Sequence, residues 1–328
     1  MQEIKREILI SKAKSLLSSG TVDRVLGWKI GEFDYDVTPA LFSDAGELEK
    51  NFVWNGFCGA NFSKYLVKET QKSDGKVLVF LKPCDTYSFN QLLTEHRFDR
   101  EKVYVVGVEC DGMLDTAKIK KVADGIASVT EKCDGVSINT LYNGTIFLKT
   151  EDALQERCKN CKSKKHVAYD ELIGDDGEVI DSGRFDEVEM IEKMTPDERF
   201  AFWQNELSRC IRCNACRDVC PACTCEKCVF DNPNSGVENK AASNSFEEKM
   251  FHIIRAFHVA GRCTDCGECS RVCPQHIPLH LLNRKFIKDI NEFYGNYQAG
   301  NEVGMRAPTV NYTTDDIEPK DAVLRGEE

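Results

Sequence analysis

The sequence predicts an α/β N-terminal domain with a short parallel sheet, followed by a smaller α-helical domain. Its 328 residues fit two domains of ordinary size. Two apolar runs, Val77–Leu81 and Val103–Val108, flank a segment suited to a helix, which is typical of a parallel crossover. Thr195-Pro-Asp-Glu198 is a capping box that opens a new helical stretch. We therefore expect domains at 1–194 and 195–295, with 296–328 as a C-terminal tail or docking arm.

Composition excludes several classes of protein. Hydrophobic residues make up 41% and charged residues 30%, as in a folded globular chain. The formal net charge of −11 argues against a nucleic-acid partner, because backbone binding needs clustered positive charge. No run approaches the ~20 apolar residues of a membrane helix, and the N-terminus lacks the long uncharged core of a signal peptide. A cytoplasmic location is expected.

The N-terminal elements bring two cysteines to one edge of the predicted sheet. Residues 3–17 have helical spacing, the two apolar runs form strands, and residues 87–97 form the helix between them. Each strand ends in a turn with a cysteine, Cys84 or Cys110. Because parallel strands end at the same edge, these two thiols should lie close together.

The remaining chain is read from its turns and helix signals. Residues 134–190 are polar with several Gly-Asp turns, and residues 231–245 form a loop rich in Asn, Ser and Gly. Helices are expected over 246–260 and 278–293.

Seventeen cysteines dominate the functional signal. Such density in a cytosolic chain indicates metal ligation rather than disulfides. Two segments share the spacing C-x2-C-x2-C-x3-C-P: Cys210-Ile-Arg-Cys213-Asn-Ala-Cys216-Arg-Asp-Val-Cys220-Pro221 and Cys263-Thr-Asp-Cys266-Gly-Glu-Cys269-Ser-Arg-Val-Cys273-Pro274. This is the ligand pattern of a two-cluster ferredoxin.

The pattern predicts that the ligands cross over between the motifs. Three thiolates of a motif wrap one [4Fe-4S] cube, and the fourth cysteine starts a short helix that points toward the other cube. The first cluster then takes Cys210, Cys213, Cys216 and Cys273. The second takes Cys263, Cys266, Cys269 and Cys220. A zinc ribbon is the alternative, but eight thiols in this array fit it poorly.

A third four-thiolate set is also present. Cys84 and Cys110 at the strand ends, with the Cys158-Lys-Asn-Cys161 pair, could hold a third [4Fe-4S] cluster or be free thiols. Cys223, Cys225 and Cys228 lack a fourth thiol unless Cys58 or Cys133 joins them. They are free thiols that shield a cluster, ligands of a further metal or of a cluster, or redox thiols, and Cys58 and Cys133 are expected to be core or loop residues.

The histidines give weaker signals, and nucleotide loops are missing. His252 and His258 are expected to be packing or surface residues, whereas His276 could tune a cluster potential. Neither G-x-G-x-x-G after the first strand nor G-x4-G-K-[ST] occurs, so direct NAD or ATP chemistry has no sequence support.

Several motifs resemble known families. Lys82-Pro-Cys-Asp85, Val105-Val-Gly-Val-Glu-Cys-Asp-Gly112 and Cys158-x2-Cys161 together resemble β subunits of coenzyme F420-reducing hydrogenases and F420-type formate dehydrogenases. The wide spacing of the two ferredoxin motifs is similar to the helical dicluster ferredoxin domains of heterodisulfide reductase and succinate dehydrogenase subunits. The stretch 209–225 is also similar to iron–sulfur subunits of anaerobic sulfite reductase and sulfhydrogenase. The resemblance implies that Cys84, Cys110, Cys158 and Cys161 share a cluster near a flavin.

Three functions compete at this point. The first is an iron–sulfur electron-transfer subunit of an anaerobic oxidoreductase complex, with hydrogenase, formate dehydrogenase or heterodisulfide-reductase-like partners. The second is an oxidoreductase with FAD that converts hydride transfer from F420 or NAD(P)H into single-electron transfer. The third is a redox sensor, which two adjacent clusters make less favoured. Whether the chain is itself an enzyme stays open at the level of sequence.

Overall fold

A computed structural model describes residues 2–162, 164–178, 183–232 and 245–310. We call residues 2–178 the α/β region and residues 183–310 the helical region. In chain order, the α/β region contains α1 (Gln2–Ser18), β1 (Arg24–Ile30), β2 (Val37–Phe42), α2 (Ala45–Asn51), α3 (Ser63–Lys72), β3 (Val77–Leu81), α4 (Pro83–Thr94), β4 (Val103–Val108), α5 (Thr116–Val122), β5 (Ile126–Lys132), β6 (Gly135–Thr140), β7 (Thr145–Lys149), α6 (Thr150–Ala153), α7 (Glu156–Lys159) and β8 (Glu171–Ile173).

The main sheet is mixed, with five strands in the order β2-β1-β3-β4-β8. The two predicted strands, β3 and β4, pair in parallel with Val77 opposite Val103. β1 and β8 extend this parallel set, whereas β2 pairs with β1 in the antiparallel direction. The expected short parallel sheet is thus corrected at one edge, where β2 is antiparallel. β2 carries Pro39, which an edge strand tolerates because its missing N–H breaks no inner ladder.

One apolar core surrounds the inner strands. All five residues of β3 are buried. Leu9 on α1, Leu66 on α3 and Phe89 on α4 are fully buried in the same core. Strands covered in this way read as continuous apolar runs, which is why β3 and β4 were the strands that the sequence pattern predicted.

Helix α4 begins four residues earlier than predicted. Pro83 occupies its first turn, and the Asp85 carboxylate accepts a hydrogen bond from the backbone N–H of Lys82 at 3.3 Å. Both features favour a helix start at this point. Cys84 therefore lies in the first turn of a helix and not in a free turn.

A three-stranded antiparallel meander, β5-β6-β7, follows α5. β6 and β7 fall inside the segment that the sequence indicated only as polar turns. β7 alternates exposed and half-buried residues, so its apolar face is short and its outer face polar. The core of this subregion includes Val129, Val136 and Ile138.

The helical region agrees closely with the predicted helices. It contains α8 (Asp186–Glu192), α9 (Pro196–Ser208), α10 (Ala215–Asp218), α11 (Ser245–Val259), α12 (Glu268–Arg271) and α13 (Leu279–Tyr294). The capping box at α9 forms as expected, with Thr195 and Glu198 exchanging hydrogen bonds. Of the loop expected over 231–245, residues 233–244 lie outside the described residues.

The chain after α13 returns across the junction of the two regions. The Tyr297 hydroxyl donates to the carbonyl of Gly261 at 2.8 Å, and the backbone N–H of Gly304 donates to Thr94 Oγ1 on α4 at 2.9 Å. Residues 296–310 thus contact both regions. Residues 311–328 lie outside the described residues, and a docking arm there stays a prediction.

Candidate metal centres

The two cysteine motifs adopt the same backbone conformation. In each, the residue before the second cysteine and the residue after it have positive φ: Arg212 at 55° and Asn214 at 62°, Asp265 at 58° and Gly267 at 67°. A one-turn helix follows each pair, α10 in the first motif and α12 in the second. This short helix contains the third cysteine, Cys216 or Cys269, and ends before the fourth, whereas the sequence analysis expected the helix to start at the fourth. Repeated left-handed residues let each loop curl around one centre.

Gly267 has a second reason to be glycine. A Cβ at this position would lie 2.6 Å from the Cβ of Arg157, which comes from the α/β region. The matching residue of the first motif is Asn214, a residue type that tolerates the left-handed conformation while carrying a side chain. The missing side chain of Gly267 therefore allows the close contact with Arg157 between the two regions.

The predicted ligands of the first cluster line one pocket. Cys210, Cys213, Cys216 and Cys273 contribute to its wall, together with Phe251 and His252 of α11 and Pro274. The set combines three cysteines of the first motif with the last of the second. Cys213 is exposed, so this centre lies nearest the surface.

The predicted ligands of the second cluster are brought together in the interior. Burial first, and then the neighbouring Asp265 carboxylate and Cys220 thiol, raise the pKa of Cys263. Cys220 acts in the same direction, after burial, on the pKa values of Cys266 and Cys269. Cys220 and Cys263 also pack in the same apolar cluster, which brings the last cysteine of the first motif to the first cysteine of the second.

The third set forms a pocket at the carboxyl edge of the sheet. Its wall contains Cys84, Cys110, Cys158 and Cys161. Cys84 follows β3 and Cys110 follows β4, so the expected proximity of these two thiols is observed. Cys266, a predicted ligand of the second cluster, lines the same pocket.

Buried cations accompany the thiols. Lys82 and Asp85 form an ion pair at 2.8 Å with both side chains 1% exposed, and Lys82 Nζ also donates to Ala60 O at 3.0 Å. Arg255 is buried and donates to the carbonyl of Cys216 at 3.1 Å. Burial raises the pKa of Cys216 to about 12, and the Arg255 guanidinium opposes that rise. Burial likewise raises the pKa of Cys110 to about 12, so deprotonation here needs a metal or a cation nearby.

Several N–H groups point at cysteine sulfurs. His252 Nε2 lies 3.2 Å from Cys210 Sγ, and the Arg212 backbone N–H lies 3.4 Å from the same atom. Met113 N–H approaches Cys158 Sγ at 3.4 Å. His252 was expected to be a packing or surface residue, and no motif marked it, because only the placement of α11 turns it toward the pocket. His276, the expected tuning residue, is exposed.

The remaining cysteines lie around these centres. Cys58 is buried in the core of the α/β region, and Cys133 is exposed between β5 and β6. Cys225 is exposed, whereas Cys223 and Cys228 are half-buried. The carbonyl of Cys223 accepts a hydrogen bond from Lys64 Nζ.

The donor chemistry suits iron–sulfur clusters. Each set supplies four thiols and a shielded pocket or interior position. In the described part of the chain, no three His, Cys, Asp or Glu side chains converge closely enough for a single metal ion. A four-iron cube carries its thiolates farther apart than a single ion does. None of the helices among the described residues is long and apolar enough to cross a membrane.

Comparison with known proteins places the chain in a class. Residues 206–277 match the family model described as a 4Fe-4S dicluster domain. The chain is therefore an iron–sulfur protein with a dicluster domain, as the doubled motif predicted. Its fold class is confirmed at the coarser level, an α/β region followed by a helical cluster-bearing region.

The particular resemblance is confirmed as well. The chain is 25% identical over 334 residues to the F420-dependent formate dehydrogenase subunit beta of Methanocaldococcus jannaschii, covering 84% of this chain and 87% of that one. It is 25% identical over 373 residues to F420-dependent formate dehydrogenase 1 subunit beta of Methanococcus maripaludis, covering 90% and 92%. These relatives and the dicluster domain support an electron-transfer subunit of an oxidoreductase complex.

One solved structure is also similar. A chain of the xenon-derivatised F420-reducing [NiFe] hydrogenase complex from Methanosarcina barkeri matches with a TM-score of 0.35 and 16% sequence identity. The match covers 45% of this chain and 56% of that chain, just over half its length.

Proposed function

We propose that the chain is an electron relay with three [4Fe-4S] clusters in the order third, second, first. The third cluster is held by Cys84, Cys110, Cys158 and Cys161. The second is held by Cys220, Cys263, Cys266 and Cys269, and the first by Cys210, Cys213, Cys216 and Cys273. The observation that carries this order is Cys266, which belongs to the second set and also lines the pocket of the third.

The contact between the second and first sets supports the same order. Cys216 of the first set and Cys269 of the second lie in the same apolar cluster of the helical region. The short helices α10 and α12 contact each other between them. A relay therefore has two junctions, one across the regions at Cys266 and one inside the helical region.

When bound, a cluster accepts or releases one electron without changing its ligands. The residues of this chain hold the cubes, exclude water and offset negative charge. Lys82 is buried beside the third pocket, and Arg255 is buried among Cys216, Cys220 and Cys269. Such fixed charges set the potentials over which electrons move.

The two ends of the relay face different partners. Cys213 is exposed at the first cluster, so a redox partner can approach that cluster through solvent. The third pocket lies at the sheet edge of the α/β region. By similarity to formate dehydrogenase β subunits, we place the chain in a cytoplasmic complex with a formate-oxidising or related catalytic subunit.

A count of iron and acid-labile sulfide in anaerobically purified protein tests the relay. Three clusters require about twelve irons per chain, and two require about eight. About eight irons would remove the third cluster from the proposal and leave the α/β region as a docking scaffold.

Paired cysteine variants test the crossed ligand sets. Cys210→Ala combined with Cys273→Ala should damage one cluster, about four irons, because both residues serve the first cube. Cys210→Ala combined with Cys263→Ala should damage two cubes, about eight irons. Cys133→Ser, an exposed loop thiol, is the control and should keep the full count. Equal losses in the two double variants would contradict the crossed assignment.

The named relatives favour a second candidate. Both depend on F420, and F420 chemistry moves a hydride, so an FAD in the α/β region would convert that pair into single electrons. The same sample decides between the candidates. Stoichiometric flavin together with cluster reduction by reduced F420 supports the converter, and flavin-free protein with full iron supports the relay alone.

A further inference from the structure

Helix α11 carries an imidazole into the wall of the first cluster. His252 is 2% exposed and lines the pocket that contains Cys210, Cys213, Cys216 and Cys273. Its Nε2 lies 3.2 Å from Cys210 Sγ, within hydrogen-bond reach of a sulfur acceptor. The phenyl ring of the preceding residue, Phe251, packs against the imidazole, with ring centroids 5.0 Å apart and an interplanar angle of 78°.

The chemistry of a ligating thiolate fixes which ring nitrogen holds the proton. A thiolate bound to iron has no proton and can only accept, so Nε2 must be the N–H donor. Nδ1 is buried and has no hydrogen-bond partner among the described residues. The hydrogen bond described for the His252 ring is thus the one from Nε2 to Cys210 Sγ. An apolar side chain could fill the same space without this hydrogen bond.

The three proposed clusters differ in this respect. Cys210 receives the imidazole of His252 and the backbone N–H of Arg212. In the second set, backbone N–H groups of Asp265, Glu268 and Ser270 reach the sulfurs of Cys263, Cys266 and Cys269, and the side-chain contact, from the Asn283 amide to Cys269 Sγ, is longer at 3.8 Å. In the third, Cys158 receives a backbone N–H from Met113. The first set therefore has the shortest side-chain N–H contact to a ligand sulfur among those that we describe.

We propose that His252 raises the reduction potential of the cluster held by Cys210 and so makes it the electron-accepting end of the relay. This inference rests on the proposed function, because it requires a cluster at the first set. A reduced cluster carries one more negative charge than an oxidised one, and an N–H donor stabilises the more negative state. Electrons that enter at the third pocket are then drawn toward the exposed end at Cys213.

The test is a redox titration of the iron-loaded protein, monitored by electron paramagnetic resonance. His252→Leu replaces the N–H donor with an apolar side chain. The midpoint potential of one cluster should fall by about 59 mV, a tenfold change in the ratio of reduced to oxidised cluster at fixed potential. The other two clusters should keep their potentials, because the described contact of His252 with a ligand sulfur is to Cys210 of the first set.

Two further variants separate hydrogen bonding from packing. His252→Gln restores an N–H group of similar reach and should recover part of the lost potential. His258→Leu, an exposed position on the same helix, should leave every potential unchanged. A Gln variant that matches the Leu variant, or an unchanged potential in both, would overturn the assignment of His252.

The iron count keeps this test distinct from the test of the relay. If the wild-type protein holds full iron and the potentials do not move, only the role of His252 fails. If Cys210→Ala costs no iron, the first cluster itself is absent and the proposed function fails with it.

Discussion

The α/β region and the helical region are stabilised by different means. The α/β region has a continuous apolar core that includes Phe42, Phe52, Phe80 and Val105. The two smaller cores of the helical region contain the cysteines themselves: Cys216 and Cys269 in one, Cys220 in the other. Burial of apolar area supplies the first region with its stability, about 25 cal/mol per Å². The stability of the helical region depends instead on the clusters that we propose its thiols bind.

Because of this difference, we expect folding of the helical region to depend on bound iron and folding of the α/β region to be independent of it. Ligand thiols that are buried without metal leave cavities and protonated sulfurs in the centre of the helical region. The α/β core contains one buried cysteine, Cys58, which belongs to none of the three ligand sets, and its proposed ligands Cys84 and Cys110 lie only at its edge, in the third pocket. The two regions meet through the ion pair of Arg157 with Glu268, at 2.6 Å.

Removal of iron should have the largest effect. Chelation under reducing conditions should lower amide hydrogen-exchange protection in α9 and α13 by ~10³-fold or more, because metal binding contributes directly to folding. Protection in β3 and β4 should change little. Hydrogen exchange with mass spectrometry measures both regions in one sample.

If amide hydrogen-exchange protection in α13 persisted after complete iron loss, the proposed difference in stability between the two regions would be wrong. It would mean that Leu279, Ile287 and Ile290, which are buried on that helix, form a sufficient core without the clusters.

Loss of the junction should have an intermediate effect. Arg157 donates to Glu268 Oε1 and to Cys266 O, at 2.6 and 2.7 Å, and to Gly59 O at 2.5 Å. Arg157→Met leaves the buried Glu268 with Arg271 and the backbone N–H of Asn61 as partners, at a cost of about 2–3 kcal/mol. In a thermal scan, the unfolding of the helical region should separate from that of the α/β region.

Arg271→Met is the matched control for this variant. Arg271 also pairs with Glu268, at 2.7 Å, but it belongs to the same region. Its loss should lower the stability of the helical region without separating the two transitions. Separate transitions in both variants would show that Glu268, and not the bridge from Arg157, joins the regions.

Loss of the ion pair between Glu95 of the α/β region and Arg262 of the helical region, 2.6 Å apart, should have the smallest effect on stability, and this effect should depend on pH. Burial alone would raise the pKa of Glu95, but hydrogen bonds from Arg262 and Gln91 outweigh it and lower the pKa. Glu95→Gln should cost about 1 kcal/mol at pH 7, since the bridge to Arg262 is partly exposed.

The sign of the pH dependence follows from the lowered pKa. The carboxylate contributes its full stability above the unfolded pKa of about 4.3 and loses it as pH falls through the folded value. The difference between wild type and variant should therefore be full at pH 6–7 and shrink below about pH 4. A difference that grows in acid would contradict the ion pair.

Much of the fold could be predicted because its signals are local. Caps and apolar runs predicted α1, β3, β4, α9, α11 and α13, since each depends on residues close in sequence. The antiparallel edge β2 and the β5-β6-β7 meander were missed. Their strands alternate or contain Pro39, and their stability comes from neighbours distant in sequence.

The sequence by itself determined the ligand chemistry of this protein. The spacing of cysteines in the two motifs indicated two [4Fe-4S] clusters, because short spacers dictate how a loop can wrap one centre. It also pointed to Cys84 and Cys110 as neighbours, since parallel strands share an edge.

Only the tertiary structure decided how the centres relate to each other and to their surroundings. Cys266 lies in the wall of the third pocket, His252 lies against Cys210, and Arg157 reaches Glu268. Each of these contacts joins residues from separate elements. Helix packing and the docking of two regions create them, and no local pattern of residues encodes that geometry.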